Sequence, residues 1–253
     1  MRHVAPPDVN RRYLLIDISN SFTKFALATG ERLGRISRVP TAELAATKLR
    51  RVGASADVLV VSSVVPKKNG AVRSAAGAKP TLFISAATDL GIGVDYPQPK
   101  TIGADRLANA VAVTELYGCP AIVVDFGTAV TFDVVSAKRS YIGGVIAPGL
   151  ESMTTFLYQR TALLPQLTLR EPTSAIGKTT RAAMMAGAVH GYRGLVAEIL
   201  RKICEENFRR STVRIVATGG YAQLIARQLP EIKAINPRLT LEGLRLIAAR
   251  NFS

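Results

Sequence analysis

One motif occurs twice in this chain, and each copy joins an apolar strand to an aspartate at a turn. Residues 14–25 read LLIDISNSFTKF and residues 122–133 read IVVDFGTAVTFD, so that Asp17 and Asp125 occupy matching positions. Burying an unpaired carboxylate is costly, and an aspartate at the end of a strand is therefore expected to face a ligand, a metal ion or water. The small residues that follow it let backbone N–H groups approach phosphate oxygens closely. The repeat predicts two similar half-molecules that face each other across a cleft.

The length and the order of segments indicate how the chain is divided. Its 253 residues suit one large domain or two of about 120 residues each. Segments of β and α character alternate along both halves, which is typical of an α/β fold. Gly118, Cys119 and Pro120 interrupt a helical pattern near the middle of the chain. We therefore expect a disordered leader at 1–12, an N-terminal domain at 13–118 and a C-terminal domain at 119–253.

Composition argues against several classes of protein. The net charge is +15, but the 33 lysines and arginines are scattered and tryptophan is absent, which favours a solvated cationic surface over a nucleic-acid site. Such a surface would also steer anionic substrates toward a cleft. No run of about 18 apolar residues occurs, so no transmembrane helix is expected. Cys119 and Cys204 have no CxxC neighbour and are interpreted as reduced thiols of a cytoplasmic protein.

Three glycine-rich turns follow apolar strands, at 125–128, 143–149 and 218–220. Glycine lets the backbone approach a ligand closely, and three such turns together with two aspartate turns indicate a phosphate-binding cleft. Neither GxxxxGK[ST] nor GxGxxG occurs in the chain, which argues against the P-loop and Rossmann classes.

The segment Gly103-Ala104-Asp105-Arg106 opens a predicted helix after a loop rich in glycine and proline. An aspartate at a helix start is often only a cap. The neighbouring Arg106 adds a group that binds carboxylates in a bidentate manner, while Asp105 is able to accept a proton from a hydroxyl. A substrate that carries both a hydroxyl and a carboxylate would suit this pair.

From about Tyr13 to its C-terminus the chain resembles the type III pantothenate kinases, which belong to the acetate and sugar kinase/Hsp70/actin superfamily. The resemblance rests on Asp17, Asn20, Lys24, Tyr96 and the segments 103–106, 125–131, 143–149, 160–165, 176–180, 218–220 and 236–244. It implies two RNase H-like (actin-like ATPase) α/β domains of duplicated topology with a cleft between them. It also implies a cytoplasmic homodimer that phosphorylates pantothenate with ATP, giving 4′-phosphopantothenate in the first step of coenzyme A biosynthesis.

The resemblance also assigns roles to the residues of the substrate site. Asp105 would be the general base for the pantothenate hydroxyl, and Arg106 would hold pantothenate with the backbone of Gly103 and Ala104. Tyr96 and Thr180 would line the same pocket, Thr180 either from its own chain or from across a dimer interface.

The remaining roles concern ATP and its cations. Asp17 would help to position Mg²⁺ through water, and Asp125 would bind a monovalent cation, K⁺ or NH₄⁺. The residues that would contact ATP are Asp17, Ile18, Ser19, Asn20, Ser21, Phe22, Thr23, Lys24 and Thr128.

The first turn departs from the family pattern, which is Asp-x-Gly-Asn-Thr, because Ser19 stands at the glycine position. If this position needed a positive φ, serine would cost about 1 kcal/mol or more. The departure leaves an alternative open, in which the chain is a catalytically impaired homologue that acts as a binding or regulatory protein. The intact Asp105 and Asp125 argue against that alternative.

Overall fold

Two β-sheets organise this chain in the computed structural model, which describes residues 11–209 and 211–252. The first of two compact units contains the described residues up to Gly118, together with Lys138–Ile142 and those from Arg238 onward. The second contains Cys119–Ala137 and Gly143–Pro237. Apart from Arg11 and Arg12, the leader predicted at 1–12 lies outside the described residues.

The strands and helices alternate as the sequence predicts for an α/β protein. The strands are β1 (Tyr13–Ile18), β2 (Phe22–Ala28), β3 (Ser37–Pro40), β4 (Val58–Ser63), β5 (Thr81–Phe83), β6 (Gly93–Val94), β7 (Ala121–Phe126), β8 (Ala129–Val135), β9 (Ser140–Pro148), β10 (Arg214–Gly219) and β11 (Ala234–Ile235). The helices are α1 (Ala46–Val52), α2 (Asn69–Ala76), α3 (Ala104–Tyr117), α4 (Leu150–Arg160), α5 (Thr180–Asn207), α6 (Ala222–Ala226) and α7 (Leu239–Asn251).

In the first unit the sheet has the strand order β3-β2-β1-β4-β5. β1 runs antiparallel to β2 and parallel to β4, and it is buried along its whole length because helices cover both faces of the sheet. Its side chains alternate between two cores. Tyr13 and Leu15 pack with α3 and α7, whereas Leu14 and Ile16 pack with α1 and α2.

The last helix belongs to the first unit, although its sequence lies within the predicted C-terminal domain. α7 packs against α3 so closely that a β-carbon at Gly243 would lie 2.0 Å from the carbonyl oxygen of Ala108. The apolar side chains of α7, including Leu244 and Ile247, then enter the same core as β1. A single boundary between Gly118 and Cys119 therefore does not describe the division of the chain.

The second sheet has six strands in the order β6-β9-β8-β7-β10-β11, and without the edge strand β6 this order repeats that of the first sheet. β7 runs antiparallel to β8 and parallel to β10, as β1 does with β2 and β4. In the first hairpin Asp17 pairs with Lys24, and in the second Asp125 pairs with Thr131. Both aspartates therefore stand near the carboxyl end of the central strand of their sheet. The described part of the chain contains no helix with the length and apolarity that crossing a membrane requires.

Candidate functional site

The first candidate element is the turn between β1 and β2. The Asp17 side chain is 3% exposed, whereas Asn20, Ser21 and Phe22 at the tip of the turn are exposed. The backbone N–H of Ser19 donates to the carbonyl oxygen of Phe22 at 3.2 Å and closes the turn. The element thus combines a buried carboxylate with exposed amide and hydroxyl groups, as contacts to phosphate oxygens require.

Ser19 fits this turn without the backbone strain that a positive φ would cause. Among the described residues other than glycine, a positive φ occurs at Arg139 and not at Ser19. The cost of a left-handed backbone therefore does not arise at Ser19. Its side chain instead points to the carboxylate, because Ser19 Oγ lies 3.5 Å from Asp17 Oδ2, at the long limit of a hydrogen bond.

Thr41 supports the same turn, although no sequence motif marks it as a functional residue. Its hydroxyl donates to the carbonyl oxygen of Ser19 at 2.7 Å, and its backbone N–H donates to that of Ser21 at 3.0 Å. The hydroxyls of Thr41 and Thr23 lie 3.0 Å apart. Both threonine side chains are buried, so these hydrogen bonds hold the turn from the side that faces the protein interior. In the sequence Thr41 only precedes a helical pattern, a position typical of a residue that caps a helix.

The second candidate element is the start of α3, where Gly103 precedes the helix. The carboxylate of Asp105 accepts a hydrogen bond from the Arg106 backbone N–H at 2.9 Å. A β-carbon at Gly103 would lie 2.6 Å from Asp105 Oδ1, so the glycine leaves room for this carboxylate. Asp105 and Arg106 are both half-buried, which suits groups that contact a ligand.

Val64 joins these two elements. Its backbone N–H donates to the carbonyl oxygen of Ile18 at 3.0 Å, at the end of β1. Its side-chain Cγ1 lies 3.6 Å from the position of a β-carbon at Gly103. The predicted phosphate turn and the predicted substrate segment are therefore neighbours within the first unit, although more than eighty residues separate them in sequence.

Tyr96 and Arg106, two of the predicted substrate residues, meet at a third side chain that the sequence did not single out. The ring of Tyr141 stands edge to face with that of Tyr96, with centroids 6.2 Å apart and an interplanar angle of 63°. The guanidinium carbon of Arg106 lies 5.7 Å from the centre of the Tyr141 ring. The first unit thus places Tyr96 and Arg106 on the same buried ring.

In the second unit the 125–128 turn lies beside both of the other glycine-rich turns. The backbone N–H of Gly149 donates to the carbonyl oxygen of Thr128 at 3.1 Å, and a β-carbon at Gly149 would lie 2.2 Å from that oxygen. Gly219 has a φ of +92°, and its β-carbon would lie 2.6 Å from Asp125 Oδ1. Side chains are therefore excluded at both glycines, and the half-buried Asp125 carboxylate lies beside Gly219.

Two tyrosines support these turns. The Tyr192 hydroxyl donates to the carbonyl oxygen of Pro148 at 3.1 Å, and burial raises the pKa of Tyr192 to about 12. The Tyr221 hydroxyl, directly after Gly220, donates to the Glu151 carboxylate. Burial and the negative charge of Glu151 raise the pKa of Tyr221. Both hydroxyls therefore stay protonated and act as hydrogen-bond donors near neutral pH.

Thr180 is the exposed first residue of α5, and it belongs to the second unit. Its neighbour Thr179 caps the helix by accepting a hydrogen bond from the Ala182 backbone N–H at 3.2 Å. An open cavity of about 830 Å³ lies beside this helix start, lined by the 167–179 segment and by Arg181, Ala182 and Met185.

The expected cations require oxygen ligands, which carboxylates supply. Across the described residues no cluster of three or more His, Cys, Asp or Glu side chains is placed to hold a metal ion. Asp17 offers a single carboxylate, which suits Mg²⁺ that keeps its waters and binds nucleotide phosphates. Asp125 offers one carboxylate beside the backbone of Gly219, and a carboxylate is a hard oxygen ligand.

Comparisons with known proteins agree with these observations. A sequence model of the type III pantothenate kinase family matches residues 13–202. The chain is 50% identical over 247 residues to a type III pantothenate kinase of Akkermansia muciniphila, covering 94% of this chain and 99% of the relative.

Two solved structures share the fold. A Campylobacter jejuni protein described as a Baf family transcriptional activator has a TM-score of 0.63 at 18% identity, over 94% of this chain and 98% of that one. A polyphosphate/ATP-glucomannokinase from Arthrobacter sp. strain KM has a TM-score of 0.50 at 15% identity, over 95% and 98%. At such low identities these two show the fold alone, whereas the sequence matches show that the chain belongs to the type III pantothenate kinase family.

Proposed function

We propose that this protein transfers the γ-phosphoryl group of ATP to the terminal hydroxyl of pantothenate and gives 4′-phosphopantothenate, in the first step of coenzyme A biosynthesis. Membership of the family and the half-identical relative support the reaction. The observation that carries the proposal is the place of Val64, which donates its backbone N–H to Ile18 before the turn and has its side chain beside Gly103. The turn proposed to bind phosphate therefore lies close to the segment that carries Asp105, the candidate base. Phosphoryl transfer to a hydroxyl requires these two elements to be close together.

Asp105 is the general base of the proposed reaction and accepts the proton of the attacking hydroxyl at its carboxylate. The bond from the Arg106 backbone N–H fixes this carboxylate, so its orientation is set before substrate binds. The Arg106 guanidinium binds the pantothenate carboxylate as a fork, and Gly103, Ala104 and Tyr96 complete the pocket. Thr180 contributes either from the same chain or from the other subunit.

The Asp17–Lys24 turn and Thr128 bind ATP in this proposal. Asp17 holds Mg²⁺ through water, and when bound this ion neutralises charge on the transferred phosphoryl group. Asp125 holds K⁺ or NH₄⁺. The proposal also includes the cleft predicted from the sequence. It further includes the origin of the two sheets in one duplicated unit, which the repeated strand order supports.

A homodimer and a cytoplasmic location also belong to this proposal. The second unit carries large apolar side chains that are exposed, which supports their burial against a second copy. These side chains are Ile146, Phe156, Tyr158, Leu163 and Ile176.

The test is ADP release from ATP and Mg²⁺, with and without pantothenate, in K⁺ or Na⁺. We expect pantothenate-dependent turnover that prefers K⁺. Asp105→Asn should lower kcat by about 10²–10⁴-fold, while Asp57→Asn, a carboxylate that accepts from the Arg12 backbone, serves as the matched control. Turnover of Asp105→Asn at the wild-type rate would remove Asp105 as the base, and absence of pantothenate-dependent turnover from folded wild type would refute the reaction.

A further inference from the structure

Tyr141 is fully buried, and its ring touches two candidate substrate residues that come from different segments of the chain. The exposed fraction of its side chain is 0%. Tyr96 follows β6 and meets the ring edge to face, while Arg106 lies in the first turn of α3 and places its guanidinium near the ring. The ring of Tyr141 therefore lies between an aromatic residue and a cation of the candidate site.

We propose that Tyr141 is a positioning residue, whose ring orients Arg106 and Tyr96 for the carboxylate-bearing substrate. This inference rests on the proposed function, since it gives those two residues the pantothenate pocket. A guanidinium binds a carboxylate bidentately only when its plane is correctly oriented, and contact with an aromatic ring restricts that orientation. Tyr141 therefore acts through Arg106 and does not itself contact the substrate.

The backbone around Tyr141 is held independently of its ring. The Asp95 backbone N–H donates to the carbonyl oxygen of Tyr141 at 2.9 Å, and β6 pairs in parallel with Ser140 and Tyr141. A β-carbon at Gly93 would lie 2.3 Å from Ser140 Oγ, so the two strands approach closely. Replacing the ring should leave this pairing in place, and substitutions at Tyr141 therefore report on the ring contacts.

The experiment compares Tyr141→Phe, which keeps the ring, with Tyr141→Leu, which removes it. We expect the leucine variant to raise KM for pantothenate by about 5- to 30-fold, the loss typical of one cation–π contact in a partly desolvated site. Its KM for ATP should stay at the wild-type value, and the phenylalanine variant should restore most of the pantothenate affinity. Tyr13→Leu is the matched control, because Tyr13 is a buried tyrosine of the same unit at the opposite end of β1 from the Asp17 turn.

Several outcomes separate positioning from simple destabilisation. A loss of folded protein lowers apparent kcat and leaves both KM values unchanged. If Tyr141→Leu gave this pattern, the inference would be overturned. Equal increases in KM for pantothenate and ATP would overturn it as well. In an Arg106→Gln background Tyr141→Leu should add little to KM for pantothenate, and a fully additive effect would contradict action through Arg106.

Two further controls complete the experiment. If the leucine variant does not fold, Tyr141→Met, which has an unbranched side chain and no ring, is measured by the same criteria. Wild-type protein is assayed first. Wild type that does not phosphorylate pantothenate would overturn the proposed function together with this inference, whereas active wild type with an unchanged leucine variant would overturn this inference alone.

Discussion

Thr41→Val tests whether the turn between β1 and β2, which is proposed to bind ATP, depends on the buried Thr41 hydroxyl. Valine keeps the shape of the side chain but removes the donor to the Ser19 carbonyl oxygen, at 2.7 Å, and the contact with the Thr23 hydroxyl, at 3.0 Å. A net hydrogen bond contributes about 1 kcal/mol, and a buried polar group left without a partner costs about 1–3 kcal/mol. We therefore expect the free energy of unfolding to fall by about 2–3 kcal/mol.

The same substitution should weaken ATP binding. The Thr41 backbone N–H still donates to the Ser21 carbonyl oxygen, so the turn stays attached but becomes less ordered. A turn that must be ordered on binding loses affinity, and we expect KM for ATP to rise by about 3- to 10-fold. KM for pantothenate should not change. The measurements are urea unfolding and initial rates with each substrate varied in turn.

Two matched variants complete the Thr41 experiment. Thr41→Ser keeps the hydroxyl and should restore most of the ATP affinity. Thr114→Val removes a buried hydroxyl that donates to the Ala110 carbonyl oxygen within α3, at 2.8 Å, and should leave KM for ATP unchanged. Thr41→Val with wild-type stability and a wild-type KM for ATP would refute the reasoning, as would a serine variant no better than the valine one.

Two further predictions concern the second unit. Gly219→Ala should destabilise the fold by about 2–4 kcal/mol, because its φ is +92° and the β-carbon would lie 2.6 Å from Asp125 Oδ1; Gly220→Ala, with nothing within 4 Å of its β-carbon, should have little effect in the same urea titration. The pKa of Tyr192 is raised to about 12 from 10.0, so the unfolded chain loses this proton first and wild-type stability should fall by about 1 kcal/mol per pH unit above pH 10, toward pH 12. Tyr192→Phe should lack this loss of stability above pH 10. Equal slopes of unfolding free energy against pH for the two proteins would show that burial does not raise the pKa of Tyr192.

Local patterns predicted the elements that carry the candidate site. The apolar runs before Asp17 and Asp125 specify central strands, since a strand covered on both faces is apolar at every position. The glycine before Asp105 and the helical pattern after it placed the start of α3. Each of these features lies within about ten consecutive residues, which is the range over which propensity and periodicity act.

The contacts that organise the site were not predictable, because they join distant segments. Thr41 resembles a cap in sequence, and only the folded β2–β3 region brings its hydroxyl beneath Ser19. Tyr141 is one residue of an apolar strand until Tyr96 and Arg106 fold against it. The placement of α7 in the first unit likewise depends on its packing with α3, which no local pattern records.

Ser19 illustrates how such a distant contact changes the interpretation of a local departure. Glycine at this position of the family pattern suggests a backbone that other residues avoid, and serine then indicates impaired binding. The backbone here has no positive φ at Ser19, and its carbonyl oxygen is held by the Thr41 hydroxyl. The turn is thus fixed by a hydrogen bond from outside the motif and does not depend on a glycine-only conformation. Ser19 therefore gives no structural reason to regard the chain as an inactive homologue, and Thr41 is the residue whose loss should impair the turn.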